Sequence, residues 1–88
     1  MQIKSGFIVR QVGSRFVAAP TGERAKEIEG MVALSETGAF LWKIMVNPCT
    51  EEDLVKALTG EYDVTPEKAA EDVRRFVDYL TKEHILMP

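Results

Sequence analysis

The sequence predicts an α+β fold in which a small antiparallel sheet of three or four strands precedes three helices. Short β-branched and aromatic runs, separated by turn residues, fill the N-terminal third of the 88 residues. Helix-start signals recur after Leu34. Hydrophobic residues make up 45% and charged residues 28% of the chain, which is the ordinary balance of a globular protein. We therefore expect one folded domain over residues 1–88.

The predicted strands lie in the N-terminal third and are bounded by turn residues. Gly13-Ser14 suits a two-residue hairpin turn, because glycine tolerates a positive φ. Pro20 ends the return strand, and Gly22 continues the turn chemistry after it. The runs interpreted as strands are residues 7–12, 15–19, 25–28 and 31–34.

The three predicted helices each follow a residue that caps helix N-termini. Ser35, Thr50 and Thr65 are these caps, and Pro66 occupies the favoured first helical position after the last of them. About four residues join the second and third helices, which is compatible with a helix-turn-helix in a winged-helix-like fold. The first predicted helix covers residue 36 to about 46, and the third covers 66 to about 83. The second starts at residue 51 and has an apolar stripe that reaches Tyr62. An apolar tail at 85–87 is expected to fold back on the core.

The residue content gives no support to catalysis, metal binding or export. Cys49 is the only cysteine, so neither an intrachain disulfide nor a cysteine-rich zinc site is expected. No nucleophile motif surrounds Cys49 or His84, and no glycine-rich phosphate loop is present. We expect no cofactor, no metal and no enzymatic activity. Neither a signal peptide nor a membrane span is recognisable, which favours the cytoplasm and no membrane partner.

Charge is distributed unevenly, and this bears on nucleic-acid binding. Residues 1–34 carry a net charge of +2 and residues 35–88 a net charge of −5. The third predicted helix would be the reading helix of a helix-turn-helix, but its net charge is −1 and its acidic residues surround it. Recognition helices lie between phosphates and are usually basic. No nucleic acid partner is therefore expected, and a winged-helix DNA-binding regulator is kept as an alternative.

The strand at residues 31–34 suggests a different kind of site. A strand at the edge of a sheet has unpaired backbone N–H and C=O groups, which can accept an extended peptide as an added strand. A helix packed beside that edge would form one wall of a groove. The same free edge would also suit a self-associating structural subunit, so a homodimer is a further alternative.

The region from the last strand onward contains an ordered set of motifs. Residues 34–42 are Leu-Ser-Glu-Thr-Gly-Ala-Phe-Leu-Trp, and residues 50–55 are Thr-Glu-Glu-Asp-Leu-Val. Further positions at matching spacing are Leu58, Tyr62-Asp63-Val64, Asp72-Val73, Phe76-Val77, Leu80 and Ile85-Leu86. Over about residues 30–86 this set resembles the PqqD-like family. Ser35 stands where that family often has Asn, and both residue types cap helices well.

The resemblance implies a winged-helix-like fold and a role as a RiPP recognition element. Such a domain is non-catalytic and binds the leader segment of a ribosomally made precursor peptide. The leader adds as a strand between the third strand and the third helix, and the complex is presented to a modifying enzyme, often a radical SAM protein.

Candidate peptide-binding residues follow from the edge strand and from the third predicted helix. The backbone of Met31, Val32, Ala33 and Leu34 is expected to pair with the peptide. Two flanks of the helix remain open as the opposite wall, namely Asp72, Arg75 and Tyr79, or Ala70, Arg74, Val77 and Thr81. Arg74 and Arg75 are the expected partners of acidic peptide residues. Apolar peptide side chains are expected near Val73, Val77 and Leu80.

Overall fold

A computed structural model describes residues 1–28 and 30–87 of the chain. The described residues form an antiparallel sheet of three strands in the order β1-β2-β3, together with four helices. This confirms the α+β class. The strands are β1 (Phe7–Val12), β2 (Arg15–Pro20) and β3 (Val32–Leu34), and the helices are α1 (Arg24–Glu27), α2 (Glu36–Met45), α3 (Glu51–Glu61) and α4 (Pro66–Lys82).

The sheet begins with a tight hairpin. Val12 pairs with Arg15 across a two-residue turn in which Gly13 has a φ of +64°, as its position in the sequence predicts. Ala18 of β2 lies opposite both Val9 of β1 and Val32 of β3, and its side chain is fully buried. Side chains alternate across a strand, so one face of the sheet packs on the core and the other does not.

The strand predicted at residues 25–28 is wrong, because the structure has a single helical turn there. Backbone N–H groups of Arg24 and Ala25 donate to the carbonyls of Thr21 and Gly22, which starts the turn directly after β2. Arg24 also forms an ion pair with Glu27, three residues later, as a helix allows. The Ile28 N–H donates to the Arg24 carbonyl and closes the turn, so local turn bonds decide the conformation of this short run.

The three long helices start at the predicted caps. The hydroxyl of Ser35 accepts from the Gly38 N–H at 3.0 Å, and that of Thr65 accepts from the Lys68 N–H at 3.1 Å. Thr50 and Asp53 form a reciprocal capping box with bonds of 2.9 and 3.1 Å. The backbone N–H of Thr50 that donates to the Asp53 carboxylate holds the pKa of that carboxyl below its usual value.

The hydrophobic core lies between the inner face of the sheet and the helices. A stripe of α4 supplies Ala69, Val73, Val77 and Leu80 to it. The C-terminal tail folds back as predicted, because Ile85 is fully buried and Leu86 forms a bridge with Ile3. The largest fully buried side chains are Leu41, Met45, Leu54, Leu58, Val73, Leu80 and Ile85.

A strained residue ends α4 and directs the chain back to the core. His84 has a φ of +59° and is the one non-glycine residue with positive φ among the described residues. Its N–H donates to the Thr81 carbonyl, and the Ile85 N–H donates to the Leu80 carbonyl. These two bonds define a Schellman motif, whose left-handed position is usually occupied by glycine.

Replacing His84 with glycine should stabilise the protein. The left-handed conformation costs a side-chain-bearing residue about 1–2 kcal/mol, and the larger freedom of glycine in the unfolded chain offsets part of that gain. We expect His84→Gly to raise the free energy of unfolding by about 1 kcal/mol and the melting temperature by about 4–8 °C. His84→Ala is the control because it keeps the strain. Equal stability of the two variants in urea unfolding would contradict this account.

Candidate functional site

The free edge of β3 opens into a cleft. β3 is the last strand of the sheet, so only its β2 side is paired within the described residues. The cleft lies between this edge, the first turns of α2 and one side of α4, and its volume is about 490 Å³. Its lining residues are Ala33, Leu34, Ser35, Thr37, Gly38, Leu41, Asp72, Arg75, Phe76 and Tyr79.

Gly38 allows the two helical walls to approach each other closely. Ser35 follows β3 directly and caps α2, so the first turn of α2 lines the cleft next to the edge of β3. A Cβ atom on Gly38 would lie 3.3 Å from Cε1 of Phe76 and 3.3 Å from the Ser35 hydroxyl oxygen. Most Cβ contacts in proteins are longer than this. The lack of a side chain therefore lets the Phe76 ring of α4 rest on the start of α2.

The floor of the cleft is apolar. Leu34 and Leu41 are buried, and Phe76 is half-buried and packs against the core. Tyr79 is 40% exposed, which makes it the largest apolar surface that the cleft offers to solvent. Aromatic rings contribute large contact areas with few rotatable bonds. The cleft is therefore suited to burying apolar side chains of a bound molecule.

The α4 rim of the cleft carries two charges, each held by a neighbour on the same helix. The Asp72 carboxylate lies 3.0 Å from the Lys68 ammonium, and the Arg75 guanidinium lies 2.7 Å from the Glu71 carboxylate. Exposed ion pairs of this i, i+4 type stabilise a helix by only about 0.3–0.5 kcal/mol. Both Asp72 and Arg75 can thus exchange partners with a ligand at little cost.

Of the two flanks of α4 that the sequence left open, the structure brings one to the cleft. Asp72, Arg75 and Tyr79 line it, together with Ala33 and Leu34 of the edge strand. The side chain of Val32 points into the core, and Met31 immediately precedes β3 with 71% of its surface exposed.

The other predicted residues of α4 do not line the cleft. The guanidinium of Arg74 lies 3.5 Å from the Glu51 carboxylate, so this side chain reaches towards α3. Ala70 is exposed on the same flank as Arg74. Three further predicted residues are buried in the core, namely Val73, Val77 and Leu80. Thr81 is exposed.

Five lining residues were not predicted from the sequence, namely Ser35, Thr37, Gly38, Leu41 and Phe76. Phe76 was assigned to the core stripe of the third helix, and it does contact the core while also facing the cleft. A signal was present, because Phe76 lies one helical turn after Asp72 and one turn before Leu80. The start of α2 carried no comparable signal, since its position beside α4 is set by packing.

Outside the cleft, the residues with reactive side chains have ordinary structural surroundings. Cys49 is buried before α3, and burial raises the pKa of its thiol. His84 is exposed at the end of α4. Within residues 1–28 and 30–87, no group of three or more His, Cys, Asp or Glu side chains is placed to hold a metal ion. None of the described helices has the length and apolarity that crossing a bilayer requires.

The close packing at Gly38 can be tested with a matched glycine. A Cβ atom on Gly60 in α3 would have no neighbouring atom within 4 Å, so Gly60→Ala should gain up to about 1 kcal/mol of stability from reduced backbone entropy. Gly38→Ala should gain less than Gly60→Ala or lose stability, because Phe76 or Ser35 must move. Urea unfolding compares the variants, and the Phe76 ring signals in NMR report its displacement. Equal gains in both variants would contradict the contact.

Comparison with known proteins identifies a family and similar folds. The family model described as Coenzyme PQQ synthesis protein D (PqqD) matches residues 20–86. A structure described as TbiB1 in complex with the TbiA(beta) leader peptide has 20% identity, covers 98% of this chain and 94% of that chain, and gives a TM-score of 0.74. Lasso peptide synthetase B1 complexed with the leader peptide has 20% identity, coverage of 99% and 96%, and a TM-score of 0.72. No curated protein sequence matches significantly. Because the family model spans most of the chain, this protein belongs to the PqqD family.

Proposed function

We propose that this protein is a non-catalytic adaptor that binds the leader segment of a ribosomally synthesised precursor peptide in the cleft beside β3. The observation that carries the proposal is that an unpaired edge strand and one side of α4 face the same cleft. Membership of the PqqD family supports it. The two similar structures are described as complexes with leader peptides, which supports the same role here.

Strand addition supplies the affinity in this proposal. The free N–H and C=O groups of β3 form main-chain hydrogen bonds with the peptide. These bonds do not depend on which side chains the peptide carries. On α4 the wall extends from Asp72 to Tyr79, about 10 Å along the helix axis. That length corresponds to about three residues of extended chain. The length of the α4 wall thus matches the three residues of β3, so the cleft contacts a short segment of the peptide.

Side chains on the inner side of the bound peptide supply the specificity. We place an apolar residue of the leader over Leu41 and Phe76 and beside Tyr79. Arg75 then pairs with an acidic residue and Asp72 with a basic one, because both exchange their present partners at little cost. Of the residues predicted from the sequence, the proposed site also includes the backbone of residues 31–34. It does not include Ala70, Val73, Arg74 and Val77, which do not line the cleft.

The domain over residues 1–88 then acts as a cytoplasmic adaptor. It holds the precursor peptide by its leader and presents the remainder to a modifying enzyme. We propose a radical SAM enzyme as this partner, the class that the family resemblance implies. In this proposal the chemistry on the precursor belongs to that enzyme.

Affinity capture from the lysate of the native host tests the proposal, with mass spectrometry of both proteins and short peptides. Recovery of a precursor-like peptide is expected, followed by saturable binding of its synthetic, fluorescently labelled leader. Nucleic acid that is retained at low salt and lost at high salt, with no peptide, would instead indicate a DNA-binding regulator. Recovery of this chain alone, with a mass that depends on concentration, would indicate self-association through the free edge.

Two proline substitutions in β3 test strand addition directly. The N–H groups of successive strand residues point to opposite edges, so one of Val32 and Ala33 donates towards β2 and the other towards the cleft. Proline removes that donor, and an edge strand tolerates it on the unpaired side. We expect one variant to lose stability and the other to stay folded and bind the labelled leader about tenfold more weakly, the loss of roughly one hydrogen bond.

The pair provides its own control. Circular dichroism and thermal unfolding identify the variant that keeps the native fold. Undiminished leader affinity in that folded variant, measured by fluorescence anisotropy, would contradict pairing of the leader with β3.

A further inference from the structure

The side of the sheet that faces away from the helices forms a second surface, which we term the outer face. Alternation along the strands and the pairing register place its residues side by side, because Ile8 lies opposite Ala19 and Arg10 lies opposite Val17. Val17 in turn lies opposite Ala33. The outer face consists of Ile8, Arg10, Val12, Arg15, Val17, Ala19 and Ala33.

Five of the seven residues of the outer face are apolar, and the other two are arginines. Ile8 is 46% and Val12 61% exposed, and neither belongs to the hydrophobic core cluster. Met31, with the same alternation as Ala33, extends the apolar surface beyond the start of β3. Contiguous exposed apolar residues of this kind mark interaction surfaces in soluble proteins.

The charges on the outer face are of one sign and have no ion-pair partner among the residues that the structure describes. Residues 1–20 contain Lys4, Arg10 and Arg15 and no acidic residue. Across residues 1–28 and 30–87, no ion pair involves Arg10 or Arg15, although Arg24, Arg74 and Arg75 all form one. The fitting partner is therefore a protein surface with an apolar centre and carboxylates placed to meet two guanidinium groups.

The outer face is continuous with the proposed leader site through Ala33, which belongs to both. A leader strand paired with β3 becomes the fourth strand of the sheet. Its alternate side chains enter the cleft, and the others project beside Ala33 on the outer face. A protein docked on this face would contact the leader and this chain together.

We propose that the outer face is the docking surface for the modifying enzyme, and that the bound leader completes it. The inference rests on the proposed function, because it requires the leader to lie along β3. The enzyme contributes an apolar patch flanked by acidic residues. Since the leader forms part of the contact, leader and enzyme strengthen each other's binding by the same factor.

The double variant Arg10→Glu/Arg15→Glu tests this assignment, with Lys43→Glu/Lys82→Glu as the matched control on exposed helix positions. The probes are the labelled leader of the precursor captured from the host lysate and the modifying enzyme recovered with it. Thermal unfolding first verifies that both variants are folded. Fluorescence anisotropy then gives the leader affinity, and biolayer interferometry gives the enzyme affinity with and without saturating leader.

For the wild-type protein we expect the enzyme to bind at least about fivefold more tightly when the leader is present. Arg10→Glu/Arg15→Glu should keep leader affinity within about twofold and weaken enzyme binding by at least about tenfold, while the control changes neither.

Unchanged enzyme affinity in the arginine variant would overturn the assignment. Equal enzyme affinity with and without leader would overturn the shared surface. Failure of the wild-type protein to bind the leader would instead overturn the proposed function. A duplex DNA probe that binds the wild type and not the arginine variant would reassign the face to nucleic acid.

Discussion

The contact between Phe76 and the first turn of α2 determines the geometry on which the rest of the account depends. Gly38 admits the aromatic ring at a distance at which a Cβ atom would be crowded. α4 is thereby fixed beside the edge of β3 without covering it. Ser35 contributes to the same arrangement, because it ends the strand and caps the helix that follows. The short segment from Ser35 to Gly38 thus leaves the edge of β3 unpaired and positions α4 beside it.

The small sheet consequently serves three purposes at once. Its inner face completes a core to which Ala18, Val32 and Leu34 contribute. Its β3 edge faces the cleft, where we place the leader peptide. Its outer face, where we place the enzyme, carries apolar residues and two arginines that form no ion pair within residues 1–28 and 30–87. A protein of this size has a small surface for two partners. A leader that adds as a strand would contact both of the sites that we propose.

The sequence was sufficient for features that local chemistry determines. The capping residues and Pro66 predicted where the three long helices start, and Gly13 predicted the hairpin. Residues 25–28 were wrongly assigned to a strand, because four residues are too few to show a periodicity and their turn bonds are visible only in the structure. The flank of α4 that faces the cleft also needed the structure. Both flanks adjoin the core stripe, and tertiary contacts with α2 and with Glu51 of α3 distinguish them.

The central claim is that the leader becomes a strand on β3, and NMR of the complex tests it most directly. The protein is labelled with ¹³C and ¹⁵N, and the leader peptide captured from the host is left unlabelled. The account predicts cross-strand nuclear Overhauser contacts between the peptide and Ala33, together with slowed amide exchange along β3. Contacts confined to β1, which is the other free edge of the sheet, or a peptide that binds as a helix would contradict it.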